Sequence, residues 1–404
     1  MRIACVNWSR RRVGGIETYL ESVLPLLRAE GHDVAFWAEH DAPADRAELR
    51  VPAGTVTWCA GTQGLEASLA GLAGWNPAVV FVHGLTDPAI ERRIVGLGAS
   101  AMLAHTYYGT CISGGKTLTF PVPVPCSRVF GPACLAYFYP RRCGGLSPLT
   151  LVRDYRRQSG RLTLAHRYDR VLTLSEHMRA EYVRHGLEPA KVCRLPPYHP
   201  GAAPRAARVA RPDAPAMLLY LGRLDRLKGC RLLIEALPAI ARGLGRPVDL
   251  VVAGDGPDRR GCEAIASRVR RPGSIDATFR NWVDEAERSQ LLADADALVL
   301  PSIWPEPYGL AGLEALSAGV PVAAFQSGGV GEWLRDGVNG ALAPMPPSAA
   351  SLAAAVVRAV GIGRFAPAGA DLAVRQQREH VRALAAHLEQ AAERGARSAA
   401  PAGS

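Results

Sequence analysis

The sequence predicts an α/β protein of two domains, each built on a parallel sheet with helices over both faces. Three observations carry this. Strand-like apolar runs alternate with helical patterns along nearly the whole chain, the signature of strand–helix–strand units. A length of 404 residues with 48% hydrophobic content is ample for two cores. Between residues 198 and 216, Pro, Ala and Arg dominate and the apolar periodicity vanishes, which marks a boundary. Strands are expected at residues 3–6, 33–37, 79–83 and 101–104 of the first half, with helices near 16–30 and 175–185. The second half opens with a strand at Met217 and continues with strands at 249–253, 278–280, 297–300 and 320–324. A last helical stretch covers about 375–392, and the sequence from Gly395 reads as a loose tail. The expected domains are residues 1–200 and 201–375, followed by a carboxyl-terminal segment, 376–404. The sequence shows no internal repeat of fixed period.

The most informative segment runs from Glu306 to Glu314, Glu-Pro-Tyr-Gly-Leu-Ala-Gly-Leu-Glu, between the apolar run 297–300 and helix-compatible sequence. A strand that stops at Pro301, then a turn rich in Gly and Pro, then a helix places free backbone N–H groups and a positive helix terminus where a phosphate can sit. Tyr308, Gly309 and Leu310 supply those N–H groups. Eight positions apart, the two carboxylates are expected about two turns from each other on one side of that element. Glu306 at the mouth suits sugar hydroxyls, and a deeper Glu314 suits a ribose diol. A second segment agrees with the first. The buried-strand pattern Leu218-Leu219-Tyr220-Leu221 runs straight into Gly222-Arg223-Leu224-Asp225-Arg226-Leu227-Lys228-Gly229, so Arg223 and Lys228 fall just past the strand's carboxyl end, where doubly wound sheets bind ligands. An Arg fork and a Lys point charge together neutralise a pyrophosphate leaving group. Alone, the second segment is more simply a solvated basic loop; together the two outline a pocket for a nucleotide sugar.

Gly222-Arg223 with Lys228, Val252-Ala253-Gly254-Asp255-Gly256, Leu300-Pro301-Ser302, and Glu306 with Glu314 resemble the carboxyl-terminal half of the retaining glycosyltransferases of family 4, the glycosyl transferases group 1. Four separate elements stand in the family's order at suitable spacing, most strongly between Met217 and Gly340. The amino-terminal half matches more loosely, through Gly14-Gly15-Ile16-Glu17, His105, and Val171-Leu172-Thr173-Leu174-Ser175 ahead of a helix. The resemblance implies the GT-B fold, two Rossmann-like doubly wound domains facing across a cleft. It implies transfer of a sugar from a nucleoside diphosphate sugar to the hydroxyl of a glycan, lipid-linked or small-molecule acceptor, with retention of anomeric configuration. It further implies that Gly14, Gly15, Gly222 and Gly254 belong to the donor site, that Arg223 and Lys228 meet the departing diphosphate, and that Glu306 orients the donor sugar and Glu314 the ribose. His105 takes the place of the family's pocket histidine, with His83, which also ends a strand pattern, as its competitor. Apart from the resemblance, each is more simply a structural histidine. Basic side chains replace a catalytic metal, so no cofactor is expected for the chemistry. A nucleotide-sugar epimerase or hydrolase of the same shape would need no acceptor. A nucleic-acid-binding protein would explain the charge, but the chain lacks a helix-turn-helix or an RNA-binding sheet motif.

The net charge of +10 suits anionic nucleotides, anionic lipid surfaces or nucleic acid, and does not separate them. No run of 18 or more apolar residues is present. The first residues, Met1-Arg2-Ile3-Ala4-Cys5-Val6, enter a strand rather than a signal peptide's apolar region. The expectation is a cytoplasmic protein, with peripheral contact to the inner face of the membrane as an option.

Four of nine cysteines, Cys111, Cys126, Cys134 and Cys143, crowd into a loop-rich insertion near residues 105–150, which departs from the family's plain pattern. Four thiolates can hold a structural zinc or ligate an iron–sulfur cluster. The spacings of 15, 8 and 9 positions lack paired CxxC ligands, so disulfides and free thiols stay open beside a metal. The other five cysteines are scattered and suit packing. The insertion also mixes Lys116, Arg128, Arg141 and Arg142 with Phe120, Phe130, Tyr137, Phe138 and Tyr139, and Arg153, Arg157 and Arg161 follow at helical spacing. That mixture suits a membrane interface or an anionic acceptor, and the arginine stripe equally suits a solvated helix face.

Overall fold

The computed structural model describes residues 1–198, 214–366 and 370–399; most of the expected boundary at 198–216 and the end of the expected tail, 400–404, lie outside the described residues. Strands are numbered in chain order. In the first half they are β1 (Arg2–Ser9), β2 (Asp33–His40), β3 (Val56–Cys59), β4 (Val79–Val82), β5 (Ser100–Ala104), β6 (Thr117–Leu118), β7 (Val124–Pro125), β8 (Arg170–Thr173) and β9 (Val192–Arg194). In the second half they are β10 (Ala216–Leu221), β11 (Val248–Ala253), β12 (Ile275–Arg280), β13 (Ala297–Leu300), β14 (Val322–Phe325) and β15 (Gly340–Ala343). One sheet has the order β3-β2-β1-β4-β5-β8-β9, the other β12-β11-β10-β13-β14-β15, and β6 and β7 form a small separate hairpin. Every pairing in the two large sheets is parallel.

These orders fix where ligands can bind. β1 pairs with both β2 and β4, and β10 with both β11 and β13, so each sheet reverses its winding beside those strands. The crevice outside the carboxyl ends at such a reversal is the usual ligand site. In the second sheet the loops leaving that point are Gly222 to Lys228 after β10 and Pro301 to Gly309 after β13. In the first sheet they are the stretch after β1 that ends at Gly14, and the residues just past β4 and β5, which include His83 and His105.

Period-two alternation sorts the second sheet's side chains. Leu218 and Tyr220 join one core cluster with Val252, Val299 and Phe325, whereas Leu219 and Leu221 face the other side. That other cluster continues into the first domain and into the last helix, Ala370–Ala399, through Val381, Leu384, Leu388 and Ala391. This helix packs on β4, β5 and β8 and on the Gly15–Ala29 helix, so the chain's end returns to the first domain. The loose tail expected from Gly395 is partly corrected. Helix continues to Ala399, and a Cβ on Gly395 would stand 2.5 Å from Ala99 Cβ, so the missing side chain lets the helix close on the first domain.

The insertion has a core of its own, Ile112, Phe130 and Phe138, against which Cys134, Cys143, Leu151, Tyr155 and Leu162 pack. Two basic residues expected at its surface are instead structural. Lys116 is 1% exposed. Its Nζ donates to the carbonyls of Thr110 (3.2 Å) and Arg128 (2.7 Å) and lies 2.8 Å from Glu181 on the Glu176–Arg184 helix. On the Pro148–Ala165 helix, Arg153 and Arg157 are exposed but Arg161 turns inward, donating from Nη2 to Leu85 O at 2.8 Å and stacking 4.7 Å from the Tyr108 ring. Each i, i+4 step advances a helix by roughly 40° beyond a full turn, so a three-residue stripe drifts off the solvent face.

Candidate active site

The second domain contributes two loops from its switch point. After β10 the chain makes a short 3-10 turn, Arg226–Lys228, and passes through Gly229 in the left-handed region at φ 72° into the Cys230–Leu244 helix. A Cβ on Gly229 would fall 1.9 Å from Pro301 O, so only glycine lets this turn lie against the end of β13. Gly229→Ala is therefore expected to cost about 2 kcal/mol or more of stability, from the left-handed backbone and the collision together. Urea unfolding of the variant checks it, and an unshifted midpoint at unchanged slope would show that the two loops do not depend on this contact. Gly254 permits a similar approach at the end of β11, where a Cβ would meet Gly222 O at 2.0 Å.

The close approach brings Lys228 to Glu306. Lys228 Nζ donates to Glu306 Oε1 at 2.7 Å and lies 4.7 Å from the Trp304 ring centroid. Ser302 Oγ donates to the same Glu306 oxygen. Glu306 is 3% exposed, so its charge depends on these two donors. Arg223 is exposed, and its guanidinium makes no hydrogen bond or ion pair among the described residues.

Glu306 and Glu314 do not share one helical element, which corrects the sequence expectation. Pro305, Pro307 and Gly309, the last at φ 90°, hold residues 301–309 irregular, and helix begins only at Leu310. Glu306 is the deeper carboxylate. Glu314 lies one turn into the Leu310–Ser317 helix, with Oε2 3.4 Å from Arg288 Nε. Tyr308, named for its backbone N–H, also lines an interdomain cavity of about 550 Å³ with Arg194, Tyr198, Leu313, Trp333 and His380. Its carbonyl accepts the Trp333 indole N–H at 2.5 Å.

The first domain supplies the opposite wall. Gly14 is the extended residue before the Gly15–Ala29 helix, and its N–H donates to Glu17 Oε2 at 2.8 Å. Asn7 Nδ2 holds the other Glu17 oxygen at 3.0 Å, tying the loop to the end of β1. A Cβ on Gly15 would be 3.8 Å from Leu310 Cδ1, so two helix N-termini, one from each domain, meet across the cleft. Their unpaired N–H groups and positive ends make this the natural seat for an anion.

His105 and His83 are not alternatives but partners. His83 Nδ1 and His105 Nε2 share a 2.9 Å hydrogen bond, and both rings pack against Tyr19. Burial pushes the His105 pKa down to about 3, and burial and then the charge of His105 hold His83 well below the ordinary value, so both rings are neutral near pH 7. The sign follows directly. The unfolded chain binds protons that the folded one refuses, so the stability from this pair is complete above the ordinary histidine value of 6.5 and is lost as pH falls from there towards 3. We expect stability to decline between pH 6.5 and 4 by up to about 1.4 kcal/mol per unit for each buried ring, and His105→Asn to flatten that slope in urea titrations at several pH values.

Several residues at this site carried no expected role. Tyr107, fully buried, stands edge-on to Trp304 at 6.2 Å and to His177 at 6.1 Å, and among the described residues neither Tyr107 Oη nor Trp304 Nε1 has a hydrogen-bond partner. Glu332 joins the domains, its Oε1 accepting the N–H groups of Glu176 (2.7 Å) and His177 (3.3 Å) at the start of the Glu176–Arg184 helix. Ser302 and Trp304 lie inside the loop the sequence picked out; Tyr107 and Glu332 left no local signal.

None of the nine cysteines is in a disulfide. Burial first, then the neighbouring Cys111, Cys126 and Cys134, push the Cys143 thiol up to about 12, so the four share one neighbourhood. Among the described residues, no three His, Cys, Asp or Glu side chains are grouped to hold a metal ion. Cys111 Sγ faces Ser113 Oγ at 3.5 Å, and Cys143 Sγ points to Tyr137 O at 3.9 Å.

Known proteins place this architecture. Residues 14–198 match the glycosyl transferase 4-like domain family, and residues 205–361 match the glycosyl transferases group 1. The glycogen synthase of Mycobacterium tuberculosis strain H37Rv is 40% identical over 154 residues, covering 38% of this chain and 36% of the relative. The D-inositol 3-phosphate glycosyltransferase of Kribbella flavida is 35% identical over 194 residues, covering 44% of this chain and 45% of the relative. The matched segments thus span less than half the length of these curated relatives. Among solved structures, Anabaena HepE in complex with UDP-glucose superposes with a TM-score of 0.61 at 16% identity, over 96% of this chain and 100% of that one. The sucrose-phosphate synthase of Thermosynechococcus elongatus gives 0.59 at 21%, over 99% and 100%. The fold and the cleft define a two-domain protein of the GT-B class. The chain belongs to the glycosyl transferases group 1, of family 4.

Proposed function

We propose that this protein transfers a sugar from a nucleoside diphosphate sugar to an acceptor hydroxyl with retention of anomeric configuration. The observation that carries the reading is the Lys228–Glu306–Ser302 cluster at the switch point, set beside an unpaired Arg223 and opposite a glycine-opened helix N-terminus from the other domain. Support for the donor class comes from the HepE structure, which holds UDP-glucose in the same fold.

In the mechanism, the acceptor oxygen forms a bond to the anomeric carbon while the bond from that carbon to the β-phosphate oxygen breaks. The electron pair leaves with the diphosphate, and the acceptor's proton passes to the departing phosphate oxygen on the same face of the sugar. No enzymic nucleophile is needed. Arg223 and Lys228 stabilise the charge that grows on the diphosphate, aided by the first N–H groups of the Leu310–Ser317 helix. Glu306 accepts hydrogen bonds from the sugar's hydroxyls, Glu314 from the ribose, and the neutral His105 touches the sugar from the first domain. Because Lys228 rests on Glu306 in the free protein, donor binding draws Nζ towards the phosphate and releases a carboxylate oxygen to the sugar.

A thermal-shift screen of nucleoside diphosphate sugars tests the reading, since a ligand that binds only the folded state raises Tm. One donor or donor class should raise it, and its free nucleoside diphosphate should raise it less. No shift with any nucleotide sugar, at concentrations where a positive control responds, overturns the proposal. Sugar release or conversion from donor alone, at the rate seen with acceptors, would replace transfer by hydrolysis or epimerisation.

A further inference from the structure

We propose that the insertion's outer face, residues 120–152 with the exposed side of the following helix, docks this protein on an anionic lipid surface. Of fifteen large apolar side chains exposed among the described residues, nine fall in that short stretch, so the concentration is local. Leu146 and Leu149 are each 83% exposed, flanking the start of the Pro148–Ala165 helix. That helix turns Leu151, Tyr155 and Leu162 onto the insertion's own core, which leaves Val152, Arg153 and Arg156 outward.

Charge accompanies the apolar groups. Between His105 and Tyr168 the single carboxylate is Asp154, which pairs with Arg153 and Arg157 at 3.4 and 3.5 Å. Arg128 lies 3.6 Å from the Tyr137 ring centroid and Arg142 4.8 Å from that of Phe120, so aromatic planes and guanidinium heads share one surface. Aromatic and aliphatic groups that reach the acyl boundary, rimmed by arginines at headgroup level, are what an interfacial membrane contact requires. A second copy of the chain would set like charges against each other, and a nucleic-acid backbone would leave the leucines unmatched. Among the described residues no helix is long and apolar enough to cross a membrane.

Co-sedimentation of the whole protein with vesicles tests this without any use of activity, so it stands or falls apart from the transferase reading. The protein is expected to sediment with vesicles of phosphatidylglycerol and phosphatidylcholine in equal parts, to stay in solution with phosphatidylcholine alone, and to be released as salt screens the headgroups. Leu146→Glu with Leu149→Glu should lower the bound fraction by about tenfold or more at an unchanged urea midpoint. Arg153→Gln with Arg156→Gln should lower it and flatten the salt dependence. Absent binding, equal binding to both vesicle types, or a Leu146→Glu, Leu149→Glu variant that binds like wild type overturns the proposal. So does sedimentation velocity showing a dimer that the leucine pair disperses, for the face would then be covered by a second copy.

Discussion

Lys228→Ala is expected to lower turnover by roughly 30- to 900-fold, the equivalent of ~2–4 kcal/mol of transition-state stabilisation. In the proposed mechanism the group acts where charge develops, so the loss should appear in kcat and kcat/KM together while binding of the donor's sugar portion changes little. The structure adds a second consequence. Glu306 is 3% exposed and takes its cationic partner from Lys228, so the alanine variant also leaves a buried carboxylate with Ser302 alone and should unfold at lower urea. Arg223→Ala separates the two effects. Its guanidinium is exposed and unpaired among the described residues, so turnover should fall by a similar order while the urea midpoint holds. Steady-state kinetics beside urea unfolding measures both, and full activity in either folded variant would remove the proposed role of that cation.

Glu306→Gln should cut transfer by about a hundredfold while nucleoside diphosphate affinity stays nearly intact, and Glu314→Gln should do the reverse, weakening the nucleotide by roughly tenfold or more. The magnitudes follow from losing a charged hydrogen bond, ~1.5–3 kcal/mol, in one case to the reacting sugar and in the other to the ribose. The two carboxylates stand in different surroundings. Glu306 sits in the β13 loop against Lys228, and Glu314 stands a turn into the next helix beside Arg288. Calorimetry with the free diphosphate and with the whole donor distinguishes the two losses. The same pattern in both variants would sink the assignment.

Much of the fold was legible because strand and helix periodicity is a local property. The strands expected at 33–37, 101–104 and 297–300 lie within or on β2, β5 and β13, and the expected helix at 175–185 brackets Glu176–Arg184. Three edge strands were not legible. β3, β9 and β15 lack the unbroken apolar run that marks the equally short β4 and β13, and they exist because a neighbouring strand offers a free edge. Loop positions of the candidate site were visible for a related reason. Gly229 and Gly309 sit where the backbone has positive φ, and such positions write glycine into the sequence.

The sequence by itself determined the α/β class and the family, and it picked out two loops that open at the second sheet's switch point and the residue types those loops carry. Tertiary structure alone decided which of them touch. Lys228 and Glu306 are 78 positions apart and meet because Gly229 lets its turn lie against the end of β13. His83 and His105, rivals in the sequence, became one buried pair through the parallel pairing of β4 and β5. Lys116 and Arg161, which composition places at the surface, were drawn inside by carbonyls that packing left without partners. Tyr107 came to face Trp304 only when two domains closed on each other. The physical reason is common to all four. Periodicity and turn chemistry are set by a few adjacent residues, whereas a contact between distant side chains depends on how whole elements pack, and packing leaves no repeat in the chain.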